Sequence, residues 1–249
     1  MYYYLQESTS NWNERKLQEK LKKLVGQFGI AGESVSPSPA RTIDELVTIG
    51  LEKNYSTFVG VGTDLFLNKV ASSLINQRGG FGADRVVLGL VPTNFQGDIA
   101  PWLGYRSIED AASALKSRKV TTVDVPVIEP SKYFIAPLRI KGAKLFSIKL
   151  ATAGYSLDTQ ATSLSIDRNL RVKISGTPSS NQLVGRLKHF FTGQKTENAA
   201  DSELRSNQLR IETIDTIPVY LSSEMIAKTP ISLKIVPQAL NLIMERGTI

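Results

Sequence analysis

Two stretches, FVGVG at 58–62 and VVLGLVP at 86–92, offer no position that favours water. A strand with one solvated face alternates apolar and polar residues, so a run apolar on both sides has to be covered on both faces. The first run leads directly into DLFLNKVASSLINQ, where apolar residues recur at helical spacing. The second leads through a loop into SIEDAASALKSRK, with Ser107 placed to cap it. Strand, turn and helix in this order predict a mostly parallel sheet with helices on both faces. Such a sheet places ligand sites beyond the carboxyl ends of its strands, here the loops at 62–66 and 92–98. Their convergence in space is a further expectation of that topology.

The remaining segments extend the pattern and then change it. YYYL reads as a short strand, 13–26 as a helix and GIAGESV as a weak strand. Thr42 and Glu45 have capping-box spacing ahead of an apolar run, and VTTVDVPV closes the first half. Beyond Pro130 come YFIAPLRI, AKLFSIKLA, TSLSIDR, LRVKISG, QLRIETID, PVYLSS and ISLKIV, short strands separated by turn residues. This is an antiparallel texture, interrupted by a helix in NQLVGRLKHFF and a polar loop over 194–208. The chain of 249 residues is therefore expected to hold an α/β domain at 1–128 and a β-rich antiparallel domain at 129–249.

Composition narrows the chemistry. There is no cysteine, so neither a disulfide nor a thiolate metal site can form. The single histidine, His189, rules out a multi-histidine metal site and leaves carboxylates, backbone amides and Lys/Arg as the working groups. No stretch has the length and apolarity of a membrane span, and MYYYLQEST lacks the form of a signal peptide. The chain is read as cytoplasmic. The net charge of +7 favours anionic partners. Its densest cluster, NERKLQEKLKKL, places Leu17, Leu21 and Leu24 along one side and reads as an amphipathic helix with a solvated basic face. Without interleaved aromatic residues, no nucleic acid is expected; a peripheral contact with an anionic membrane and a homodimer are both compatible with the sequence.

The order of elements and several local patterns resemble the diacylglycerol kinase catalytic-domain family, which is related to sphingosine and NAD kinases. The resemblance spans roughly 2–245. The family motif Gly-Gly-Asp-Gly-Thr, then Leu-Asn-Glu-Val, is matched by Gly62, Thr63, Asp64, Leu65, Phe66, then Leu67, Asn68, Lys69, Val70. The first glycine, the aspartate and Leu-Asn-x-Val are kept; two glycines and the threonine are not. Those glycines let amides approach phosphate, and Leu65 and Phe66 are expected to narrow that space. Taken alone, Gly-Thr-Asp before a helix is also explained by Thr63 or Asp64 as an N-cap. A second family pattern, Pro-x-Gly-Thr-x-Asn-Asp-Phe-Ala before Leu-Gly, is matched by Pro92, Asp98, Ala100, Leu103 and Gly104, with Asn94, Phe95 and Gly97 in place of its glycine, threonine and asparagine.

Near the carboxyl end, Ser222, Ser223 and Glu224 stand where the family has Asp-Gly-Glu, so only one of two acids remains. The family's Asn-Pro-x-Ser-Gly loop has no counterpart in LQESTSN. The resemblance implies an α/β nucleotide-binding domain joined to a β-rich domain, ATP and Mg2+ as cofactors, and a lipid hydroxyl such as that of diacylglycerol as acceptor. It carries Asp64 and Glu224 over as catalytic residues. Gly62, Thr63, Asn68, Thr93, Asn94, Gly97 and Asp98 become nucleotide contacts, and Asp64 and Asp124 metal ligands. A carboxylate can take a hydroxyl proton when in reach, which Ser222 cannot. Two readings follow: a divergent lipid kinase, or a non-catalytic relative that binds a nucleotide, lipid or protein. An NAD kinase is disfavoured by Lys69, which replaces that family's glutamate.

Overall fold

A computed structural model describes residues 1–77, 85–176 and 202–244. His189 and the helix expected in NQLVGRLKHFF lie outside the described residues. The chain divides into two compact units, Met1–Ala136 with Val236–Ile249, and Pro137–Ile235.

The first unit alternates β1 (Tyr2–Gln6), α1 (Trp12–Gln27), β2 (Glu33–Val35), α2 (Ile43–Glu52), β3 (Thr57–Gly62), α3 (Asp64–Asn76), β4 (Val87–Pro92), α4 (Ile99–Leu103), α5 (Ile108–Ser117), β5 (Val120–Ile128) and β6 (Lys132–Tyr133). Strands β1 to β4 are mutually parallel in the order β4, β3, β1, β2. Every residue of β3 and β4 is buried, as the apolar runs 58–62 and 86–92 require, and the polar Thr57 at the start of β3 is buried with them. The two covering layers can be read from two glycines. A Cβ on Gly60 would meet Leu67 and Val70 of α3, and one on Gly89 would meet Leu115 of α5. Gly60 is paired with Leu90 and Gly89 with Val59, so the two glycines face opposite sides of the sheet. Helices therefore cover both faces, with α2 beside α3 and α1 beside α5. The α2 start carries the expected capping box between Thr42 and Glu45, and Ser107 caps α5 through the Asp110 amide. In α1, Leu21 and Val25 are buried while Arg15, Lys16, Lys22 and Lys23 remain exposed.

The second unit is antiparallel: β7 (Leu138–Ala151), β8 (Ser156–Ile166), β9 (Arg171–Ser175), β10 (Ser202–Arg205), β11 (Gln208–Thr213), β12 (Pro218–Leu221), β13 (Glu224–Lys228) and the start of β14 (Ile231–Ile243). Two expectations need correction. Residues 202–205, read as part of a polar loop, form β10 and pair with Arg171–Ile174 of β9. The split at 128/129 also differs from the compact units. The carboxyl end of β14 returns to the first unit and pairs in parallel with β4 at Leu242 and Leu88. A strand contributed that late in the chain carries no local mark of the sheet it joins.

Candidate functional site

The two loops expected to converge do so within the first unit. Strands β3 and β4 end side by side, with Gly62 opposite Pro92, and the Thr93 amide donates to the Gly62 carbonyl (2.9 Å). The Asp98 amide donates to Asp64 Oδ2 (2.6 Å). Gly97 makes that approach possible, because a Cβ there would lie 2.5 Å from Asp64 Oδ2. Asn94 folds the same loop: its Oδ1 accepts from the Gln96 amide (3.0 Å), and its carbonyl accepts from the Gly97 amide (3.2 Å). Thr93 is buried, and its hydroxyl has no hydrogen-bond partner among the described residues.

At the head of α3, Thr63 is the N-cap and its hydroxyl accepts from the Phe66 amide (3.4 Å). Glu7, which the sequence reading did not single out, completes this turn. Its Oε2 accepts from the Thr63 amide (2.6 Å), and its Oε1 accepts from the Thr63 hydroxyl (3.1 Å). A Cβ on Gly62 would lie 2.5 Å from Glu7 Oε2 and 2.8 Å from Phe66 Cδ1. The turn that the motif marks for phosphate is thus lined by the protein's own carboxylate and the buried Phe66 ring. A carboxylate suits the positive end of a helix dipole, which is also where a phosphate would bind.

The other expected residues fall elsewhere. Asn68 is buried, and its amide is engaged by main chain: Nδ2 donates to the Tyr133 carbonyl (3.3 Å), and Oδ1 accepts from the Ile135 amide (2.7 Å). It pins the segment around β6 instead of facing a ligand. Asp124 Oδ1 accepts from the Gln238 amide (2.8 Å). Glu224 belongs to the second unit, where it pairs with Leu221 across a two-residue hairpin; Ser222 in that turn has φ 53°. Among the described residues no group of three or more acidic or histidine side chains is gathered for a metal ion. A groove of about 560 Å³ opens on β7, β8 and β11, with Lys149, Asp158 and Glu212 in its lining. Lys149 is in register with both acids and offsets one of their two negative charges. None of the expected site residues lines it.

Comparison with solved structures finds this fold elsewhere. A diacylglycerol kinase from Bacillus anthracis str. Sterne matches with TM-score 0.76 at 13% identity, over 98% of this chain and 96% of that one. Yeast NADH kinase, solved in complex with NADH, matches with TM-score 0.54 at 8% identity, over 99% of this chain and 84% of that one. No protein-family model and no curated protein matches the sequence. The fold is that of the kinases whose motif order the sequence resembles; at these identities the likeness is one of fold.

Proposed function

We propose that this chain is a divergent lipid kinase, transferring a phosphoryl group from a nucleotide to a lipid hydroxyl such as that of diacylglycerol. The observation that carries the reading is the junction of the two motif loops, where the Asp98 amide meets Asp64 at the carboxyl ends of β3 and β4. Ligands of open α/β sheets bind in this position. Phosphoryl transfer needs the phosphates held, their charge neutralised and the hydroxyl positioned. Mg2+ brought with ATP needs only one or two carboxylates, taking its other ligands from phosphate and water. Asp64 fits that requirement, and the ion would supply charge neutralisation. Asp98 and Thr93 would line the nucleotide side, and Glu224 would receive the acceptor proton. The positive net charge favours an anionic membrane surface as the source of the lipid.

A second reading, a non-catalytic nucleotide-, lipid- or protein-binding module, is favoured by one contact. The Thr63 amide, which a phosphate would use, is taken by Glu7. Fold alone does not decide between the two. The deciding experiment is calorimetric titration with ATP, with and without Mg2+, followed by a lipid-dependent phosphorylation assay. The kinase reading expects Mg2+-dependent binding and turnover that Asp64→Asn abolishes. Turnover unchanged in that variant removes Asp64 from the mechanism, and absence of transfer to every lipid tested leaves the binding module.

A further inference from the structure

We propose that Glu7 is a specificity-determining residue of the α3 turn, a resident anion that a phosphate-bearing ligand has to displace. The inference rests on reading 62–66 as a nucleotide site, and it concerns what that site admits. Three observations carry it. The Glu7 carboxylate holds both hydrogen-bond donors of Thr63, the amide at 2.6 Å and the hydroxyl at 3.1 Å. It lies so close over the turn that a single Cβ on Gly62 would come within 2.5 Å of it. Thr93, whose amide donates to the Gly62 carbonyl, keeps a buried hydroxyl with no hydrogen-bond partner among the described residues, a polar group left over next to the turn's main chain.

The chemistry follows from charge. A phosphate seeks the same amide that the carboxylate holds and carries the same sign, so the two cannot share the turn unless their repulsion is relieved by displacement or by a cation. Glu7 is only partly buried. The main chain of Glu7 stays in the ladder, its amide donating to the Val61 carbonyl (2.9 Å). Displacement therefore requires a change of side-chain rotamer and no rearrangement of β1.

The test compares the wild-type protein with Glu7→Gln and Glu7→Ala, titrating each with Mg-ATP and with inorganic tripolyphosphate. Glu7→Gln keeps an acceptor for the Thr63 amide and removes only the charge, so it guards against a variant that fails to fold. The expected result is affinity for both probes raised about tenfold or more in Glu7→Gln, and at least as much in Glu7→Ala. A gain for tripolyphosphate without a gain for ATP supports the role of Glu7 and overturns the nucleotide reading. Measurable and equal ATP affinity in all three proteins, with no gain for tripolyphosphate either, supports the nucleotide reading and overturns the role of Glu7. Weaker ATP binding in Glu7→Gln overturns it too, making the carboxylate part of the ligand site. No gain for either probe shows that Glu7 is not what closes the turn.

Discussion

Gly97 owes its place to a neighbour's side chain. Its φ is not positive, so the backbone there would accept alanine. The added Cβ would lie 2.5 Å from Asp64 Oδ2 and 3.0 Å from Cγ, closer than such atoms pack. Gly97→Ala is expected to push the 93–98 loop off Asp64, break the bond from the Asp98 amide and lower stability by about 1–3 kcal/mol. Denaturant unfolding reads this as a lower midpoint at constant slope; an unchanged midpoint means the loop gives way without loss. Of the site's residues, Asp64 was legible because it keeps a motif position. Asn68 was legible as a residue but not in its role, since nothing local says that its amide will meet the main chain at 133 and 135. Glu7 carries no motif at all. Its partner is 56 positions away, and only the register of β1 with β3, Gln6 opposite Val61, brings the next residue over the turn. An acid one step beyond a strand adjacent to β3 was the available signal.

Among the elements, β2 is lightly held, three residues at the edge of the parallel sheet. Its side-chain anchor is Glu33, which accepts from Lys53 Nζ at both oxygens (2.8 and 2.9 Å) and from the Tyr55 hydroxyl (2.7 Å). The hydrogen bond from Lys53, then that from Tyr55, holds the Glu33 carboxyl below its ordinary range. A depressed pKa contributes stability above the unfolded value, and that contribution is lost as pH falls through the folded one. The stability difference between wild type and Glu33→Gln is therefore expected at neutral pH and should vanish in acid below the carboxylate range. Salt should shrink it, because the group is partly exposed. A difference that persists at low pH would assign the effect to packing. The capping box of α2, the Ser107 cap and the apolar strands were readable because each is settled within a few residues. Strand β10 was not. SELR is polar, as an edge strand can be, and its pairing depends on β9, where Arg171 Nε meets Glu203 (2.9 Å).

At the scale of the whole molecule, the chain leaves the first unit at Ala136 and re-enters it at Val236. The crossing is written in β14, where Pro237 cannot donate to a ladder and Gln238 adopts φ 51° while its amide bonds Asp124. From there Ala239, Leu240, Leu242, Ile243 and Met244 are buried in the first unit. Each of the four larger side chains contributes up to about 1.5–3 kcal/mol, so together they rival the roughly 5–15 kcal/mol that holds a domain folded. A chain ending at Ile235 is expected to lose the cooperative melting transition of the first unit in circular dichroism; retention of that transition would show the parallel sheet to be self-sufficient without its returning strand. The expected boundary at 128/129 missed this because hydrophobic pattern assigns a strand to its neighbours in sequence.

The returning strand also sets a timetable for synthesis. β4 leaves the ribosome long before the stretch around Leu242 that pairs with Leu88. At ordinary elongation rates that interval is on the order of ten seconds or more. During it the nascent polypeptide carries an apolar strand with one edge still waiting, open to chaperones or to another chain's strand.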